Sequence, residues 1–208
     1  MTEIIRIDSV HPDRAYARCR DVIRTGGVIA YPTDTFYGLG ADPKNPAAVN
    51  KLYEIKGRRS DQPILLLIPD AGHVPNWAAE VIPAAEQLMK RFWPGPLTLV
   101  FRARADVLPE LTAGTGSIGL RVPGDGVGRE LLRFLDSALT GTSANRSGVP
   151  SPRTAHEAMA AVGGMVDLVL DGGETPGGNP SSVVDVRAEN PVVIRTGAVD
   201  LRSNDRVR

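Results

Sequence analysis

Residues Gly27–Tyr31 form an apolar run of β type that meets Pro32 and gives way to Thr33, Asp34, Thr35, Phe36, Tyr37, Gly38, Leu39 and Gly40. A run this short, flanked by glycines, reads as a buried strand. The hydroxyls, carboxylate and glycines that follow stand where a strand hands polar groups to the rim of a sheet. Further on, Lys56, Arg58 and Arg59 supply positive charge to face them. The combination predicts a site for a small anionic ligand.

The rest of the chain supports a sheet with flanking helices. Strands are expected at Ile4–Ile7, Pro63–Ile68, Leu97–Arg102, Ile118–Val122, Leu168–Leu170, Val183–Val186 and Val192–Ile194. Helices are expected over Pro12–Arg24, Ala47–Ile55, Ala84–Phe92, Gly128–Leu135 and the stretch from Arg153 to Val162. Pro12 suits a first helical turn, Gly26-Gly27 a stop, and Trp93-Pro94-Gly95-Pro96 a break. Strands and helices mix without strict βαβ alternation. The expected class is therefore α/β (α+β): a single domain over 1–208 around one twisted mixed β-sheet, its core at about 10–200 and its 200–208 tail flexible.

Composition narrows the function. Lys+Arg and Asp+Glu balance at 24 each in 208 residues, so no global field draws the chain to nucleic acid or to a membrane surface. Aromatics make up 5%, too few for rows of base-stacking side chains. Cys19 is the sole cysteine, and His11, His73 and His156 match no metal-ligand spacing. The start of the chain has no signal-like segment, and no apolar run approaches the roughly 18 residues of a membrane span. A cytoplasmic location is expected.

Each candidate group has a plainer reading beside it. Thr33, Asp34, Thr35 and Tyr37 are either ligand contacts or hydroxyls capping a turn in which Gly38 and Gly40 supply special dihedrals. Lys56, Arg58 and Arg59 either bind an anion or complement a helix C-terminus. Arg121 lies in mid-strand, where an unpaired charge is costly, so it meets an acidic partner or a ligand carboxylate. Thr140–Gly148 (TGTSANRSG) has the small residues that let a ligand approach the backbone, without the spacing of a P-loop. Asp171-Gly172-Gly173 and Gly177-Gly178 read as turns, and Ser181-Ser182 as a further hydroxyl pair. No Ser/His/Asp arrangement or nucleophilic cysteine is present, which points to positioning and charge stabilisation rather than covalent catalysis.

Taken in order, PTDTFYGLG (Pro32–Gly40), KGR (Lys56–Arg58), WPGPLTLVF (Trp93–Phe101), IGLRVP (Ile118–Pro123), TSANRSGVPSP (Thr142–Pro152), LDGG (Leu170–Gly173), SSVVDV (Ser181–Val186) and VIRTGAV (Val193–Val199) resemble the YrdC-like family of L-threonylcarbamoyladenylate synthases. The resemblance implies the YrdC-like fold with a large, positively lined cavity. It implies formation of threonylcarbamoyl-AMP and pyrophosphate from L-threonine, bicarbonate or CO₂, and ATP, with Mg²⁺ carried by the nucleotide. A separate tRNA threonylcarbamoyl-transferase complex would use that product for the t⁶A modification.

By the same resemblance Lys56, Arg58, Gln62, Ser117, Ser143, Asn145, Ser151 and Arg195 fall at the ATP site, with Lys56 and Arg58 catalytic. Thr33, Thr35, Tyr37, Leu67, Arg121 and Ser181 fall at the threonine site. Leu67 stands where some relatives have His, and Pro180 where some have Glu. The chain resembles the short, single-domain form of the family. The rival reading is an RNA-binding protein of the same fold without adenylation, or weak RNA binding beside the enzyme activity. Intact Lys56/Arg58 and Ser143/Asn145 favour the enzyme. A hydrogenase-maturation carbamoyltransferase unit would need modules and cysteines that this sequence does not have.

Overall fold

The computed structural model describes residues 2–8, 10–57, 62–199 and 201. The chain runs β1 (Glu3–Arg6), α1 (Pro12–Arg24), β2 (Ile29–Pro32), β3 (Tyr37–Gly40), α2 (Pro46–Lys56), β4 (Leu66–Leu67), a 3₁₀ helix (Ala71–Asn76) and α3 (Pro83–Phe92). There follow β5 (Leu97–Arg102), α4 (Pro109–Thr112), β6 (Ser117–Arg121), α5 (Val127–Leu135), β7 (Leu139–Thr140) and β8 (Thr142–Ser143). The last elements are α6 (Ala155–Val162), β9 (Leu168–Asp171), β10 (Ser182–Asp185) and β11 (Val192–Arg195).

The mixed α/β class is as expected, but the strands divide between two sheets instead of one. One has the order β1-β9-β2-β3-β8, the other β11-β10-β5-β6-β4-β7, and both combine parallel and antiparallel pairs. The chain passes from the second sheet to the first at Gly141, between β7 and β8. A Cβ at Gly141 would lie 2.6 Å from Leu65 Cδ1 and 2.8 Å from Leu67 Cγ, so glycine there leaves room for the leucine side chains of the crossing.

Alternation along β2 and β9 shows how the first sheet is covered on both faces. Ile29, Tyr31, Leu168 and Leu170 pack with Tyr16 and Cys19 of α1 and Leu131 and Leu132 of α5. Ala30 and Val169 face the other way, into an apolar cluster that also takes Leu52 of α2, Val162 of α6 and Leu97 and Leu99 of β5. That cluster joins the two sheets. Helix α2 is sharply bounded: Asn45 Oδ1 accepts from the N–H groups of Ala47 (3.0 Å) and Ala48 (3.2 Å), and Gly57 closes it in the left-handed region at φ 54°. None of the helices among the described residues is long and apolar enough to cross a membrane. Of the tail, 200 and 202–208 lie outside the described residues.

Candidate functional site

The hydroxyl-rich segment after β2 folds back on itself before it offers anything to a ligand. Thr33 Oγ1 donates to Phe36 O (2.7 Å) and accepts from the N–H groups of Thr35 (3.2 Å) and Phe36 (3.3 Å). This is the turn-capping role, and it aims Thr35 Oγ1, 3.2 Å from Thr33 Oγ1, at the space between the sheets. Tyr37 lines the same space, but its hydroxyl donates to Gly173 O (2.7 Å) and accepts from Gly172 N–H (3.3 Å). Burial pushes the Tyr37 phenol up to about 12.

Gly38 and Gly40 do not supply special dihedrals. Both sit in β3, outside the positive-φ glycines. At Gly40 the reason is room: a Cβ would fall 2.8 Å from the Tyr31 ring. The expectation of a glycine turn there is corrected to a strand packed against an aromatic face.

Lys56 is the last residue of α2 and only 5% exposed, so it is no solvated helix end. Its Nζ donates to Ser143 O (2.7 Å) and Asn145 Oδ1 (2.9 Å), with Ser143 Oγ at 3.3 Å. Asn145 Oδ1 also accepts from Ser143 Oγ (2.5 Å), and Ser147 N–H donates to Lys56 O (3.0 Å). The loop after β8 is thus stitched to the end of α2, and lysine, serine and asparagine form one cluster. Arg58 and Arg59 lie outside the described residues.

The second sheet supplies the facing wall. Its register pairs Val183 of β10 with Thr98 of β5 on one side and Arg195 of β11 on the other, and Arg121 follows Leu120 of β6, the partner of Leu99. Arg121 has both an acidic partner and a place on the cavity wall. Its Nη2 donates to Asp34 Oδ1 and its Nε to Gly95 O (3.1 Å). Ser181 Oγ is 3.0 Å from Thr98 Oγ1, both buried. Arg195 Nη2 donates to Ser181 O (2.8 Å) and approaches Ser181 Oγ (3.3 Å). Partial burial, and then the charge of Arg121, push the Arg195 guanidinium down from its usual range.

These groups enclose one cavity of about 820 Å³ between the sheets, near the top of the ~300–1,000 Å³ range of small-molecule sites. Lys56, Gln62, Ser117, Ser143, Asn145, Ser151, Arg195, Thr33, Thr35, Tyr37, Leu67, Arg121 and Ser181 all line it; of the cations singled out from the sequence, Arg58 and Arg59 fall outside the described residues. Sequence reasoning missed Thr98 and Arg187. Arg187 sits on the rim, bound to the Asp185 carboxylate (Nη2–Oδ2 2.6 Å). Its signal was the alternation of β10, since 181, 183, 185 and 187 share a face. Among the described residues no group of three Asp, Glu, His or Cys side chains could hold a metal ion.

A cavity between two mixed sheets, lined by hydroxyls, amides and cations with apolar Ile64, Val100 and Val183 among them, defines an α/β protein whose site chemistry suits an anionic ligand. Residues 21–197 match the Sua5_yciO_yrdC family, described as Telomere recombination, and the chain belongs to that family. It is 38% identical over 186 residues to the threonylcarbamoyl-AMP synthase of Pyrococcus abyssi, covering 89% of this chain and 54% of that protein. It is 38% identical over 164 residues to the threonylcarbamoyl-AMP synthase of Thiobacillus denitrificans, covering 79% and 87%. Among solved structures, P. abyssi Sua5 complexed with L-threonine superposes with a TM-score of 0.88 at 36% identity, covering 94% of this chain and 58% of that one. The chain spans about half the length of the P. abyssi protein.

Proposed function

We propose that this chain is an L-threonylcarbamoyladenylate synthase. Threonine's amine bonds to the carbon of CO₂, supplied as such or from bicarbonate, and gives up a proton. A carboxylate oxygen of the resulting carbamate then bonds to the α-phosphorus of ATP. The bond from that phosphorus to its β-bridging oxygen breaks, and pyrophosphate leaves.

Nucleophile and electrophile are both anionic, so the step needs fixed positive charge and close positioning. The observation that carries the reading is the convergence of Lys56, Arg121 and Arg195 on one cavity that also holds Thr35, Ser143, Asn145 and Ser181. In this reading Arg121 pairs with threonine's carboxylate, with Thr35 and Ser181 at the same end. Lys56, held by Ser143 and Asn145, serves the phosphates with Arg58. Gln62, Ser117, Ser151 and Arg195 bind the rest of ATP. The described lining holds cations and neutral oxygens but no carboxylate, which suits a magnesium ion that arrives on the nucleotide's own phosphates. Magnesium would neutralise phosphate charge; the chain's own work is to hold the two substrates in line.

The activities of the relatives and the threonine bound to P. abyssi Sua5 support the assignment. The product would pass, in the cytoplasm, to a separate complex that transfers the threonylcarbamoyl group to tRNA. Mass spectrometry after incubation with Mg²⁺-ATP, L-threonine and ¹³C-bicarbonate tests the proposal. Threonylcarbamoyl-AMP carrying the label is the expected product, lost in Lys56→Ala. A folded, ATP-binding protein that makes none would turn the assignment toward the RNA-binding reading.

A further inference from the structure

Two pieces of the sequence have no role in the reaction so far: the aspartate inside Pro32–Gly40, and the Trp93-Pro94-Gly95-Pro96 turn. They meet at one side chain. Arg121 and Asp34 are nearly buried, their side chains 6% and 12% exposed. The Arg121 guanidinium is gripped along one edge only, Nη2 by the Asp34 carboxylate and Nε by the Gly95 carbonyl. Nε and Nη2 form the side edge of the planar fork. The end edge, made by Nη1 and the second N–H of Nη2, carries no hydrogen bond among the described residues, and Arg121 lines the cavity.

Both grips are themselves fixed. Gly95 N–H donates to Val122 O (2.9 Å), and Trp93 Nε1–H to Leu97 O (2.7 Å), which pins the turn to β6 and β5. A Cβ at Gly95 would stand 2.6 Å from Phe92 O, so the turn requires glycine at that point. On the other side, a Cβ at Gly124 would stand 3.0 Å from Asp34 Oδ2, so glycine there leaves the carboxylate its place.

We infer that Asp34 and the Gly95 carbonyl are the positioning pair of the site: they clamp the side edge of Arg121 so that its end edge is presented as a preformed two-pronged receptor for the amino acid's carboxylate. Asp34 acts through Arg121 and does not touch the substrate. A planar fork held along one edge gives up little freedom when a carboxylate docks on the other. The clamp also accounts for the buried charge, since Arg121 has a counter-ion before any ligand arrives.

The inference rests on the threonine reading of the cavity, and the test separates the two. Pyrophosphate release gives KM for L-threonine and for ATP in the wild type, Asp34→Ala, Asp34→Asn and Gly124→Ala. Asp34→Ala is expected to raise the threonine KM about 100-fold, as for a misplaced binding group, with the ATP KM within about threefold. Asp34→Asn, which keeps the Oδ1 acceptor, should recover most of that loss.

Gly124→Ala folds without backbone strain and displaces the carboxylate slightly, so the threonine KM should rise several-fold while that for ATP stays level. This variant carries the test if Asp34→Ala does not fold. An unchanged threonine KM in Asp34→Ala, both KM values rising together, or Asp34→Asn behaving like Asp34→Ala would overturn the positioning role. If the folded Asp34→Ala protein is not obtained, an unchanged threonine KM in Gly124→Ala overturns it. A wild type that binds ATP but never saturates with threonine would overturn the reading of the cavity, and the inference with it.

Discussion

Two strands of one sheet each bring an arginine to the same cavity, and they do so under opposite conditions. β6 is flanked by β5 and β4 and buried along its whole length. β11 is the outer edge of the sheet, exposed along its whole length, with Val192, Val193 and Ile194 open to solvent. On the inner strand Arg121 comes with its own counter-ion, because an uncompensated guanidinium in that position costs several kcal/mol. On the edge strand Arg195 is held by the neutral Ser181 carbonyl and hydroxyl, with no carboxylate partner among the described residues. The inner arginine is thus compensated and oriented before a ligand arrives, which suits recognition by shape. The edge arginine keeps its net charge for the ligand, which suits attraction of a polyanion.

The sharpest way to break this contrast is to remove the inner arginine. Arg121→Ala should abolish threonine-dependent turnover and also destabilise the fold by about 3–5 kcal/mol, because Asp34 is left buried and unpaired. Urea denaturation beside a pyrophosphate assay reads both effects. Arg195→Ala should separate them. ATP affinity should fall about 10–100-fold, the worth of a charge-assisted contact, while the urea midpoint barely moves. Calorimetric titration with ATP measures the first, and a large loss of stability would erase the distinction between the strands.

Salt gives a milder test. Raising ionic strength from about 0.05 to 0.5 M should weaken ATP binding several-fold in the wild type and less in Arg195→Ala, since exposed charges are screened within about a Debye length. The smallest effect is expected for Ser181→Ala. That substitution removes a hydroxyl shared with Thr98 but keeps the carbonyl that holds Arg195, so the threonine KM should rise a few-fold with ATP affinity unchanged.

What was legible in the sequence follows the same inner and outer logic. α1 matches its predicted span from Pro12 to Arg24, and β5 its span from Leu97 to Arg102, because proline, glycine and continuous apolar runs mark their ends. Of the cavity lining, Thr33, Thr35, Tyr37, Lys56, Arg121, Ser143, Asn145 and Ser181 were legible as hydroxyls, amides and cations in exceptional positions, whereas Gln62, Leu67, Ser117, Ser151 and Arg195 came from the family resemblance alone. The division into two sheets was not, because it turns on β4, β7 and β8, each two residues long, too short for any periodicity to register. Gly40 was misread because a glycine that makes room for a ring looks, in sequence, like one that makes a turn. The choice between acidic partner and ligand for Arg121 could not be made either, since Asp34 lies 87 residues away along the chain.

The proposed reaction activates threonine, as its carbamate, against ATP within one cavity. Its most direct test is pyrophosphate release by the purified protein with Mg²⁺-ATP, omitting L-threonine and bicarbonate in turn. Release that requires both, and disappears in Arg121→Ala while ATP still binds, is the predicted result. Release that ignores threonine, or none from a protein that binds ATP, would contradict it.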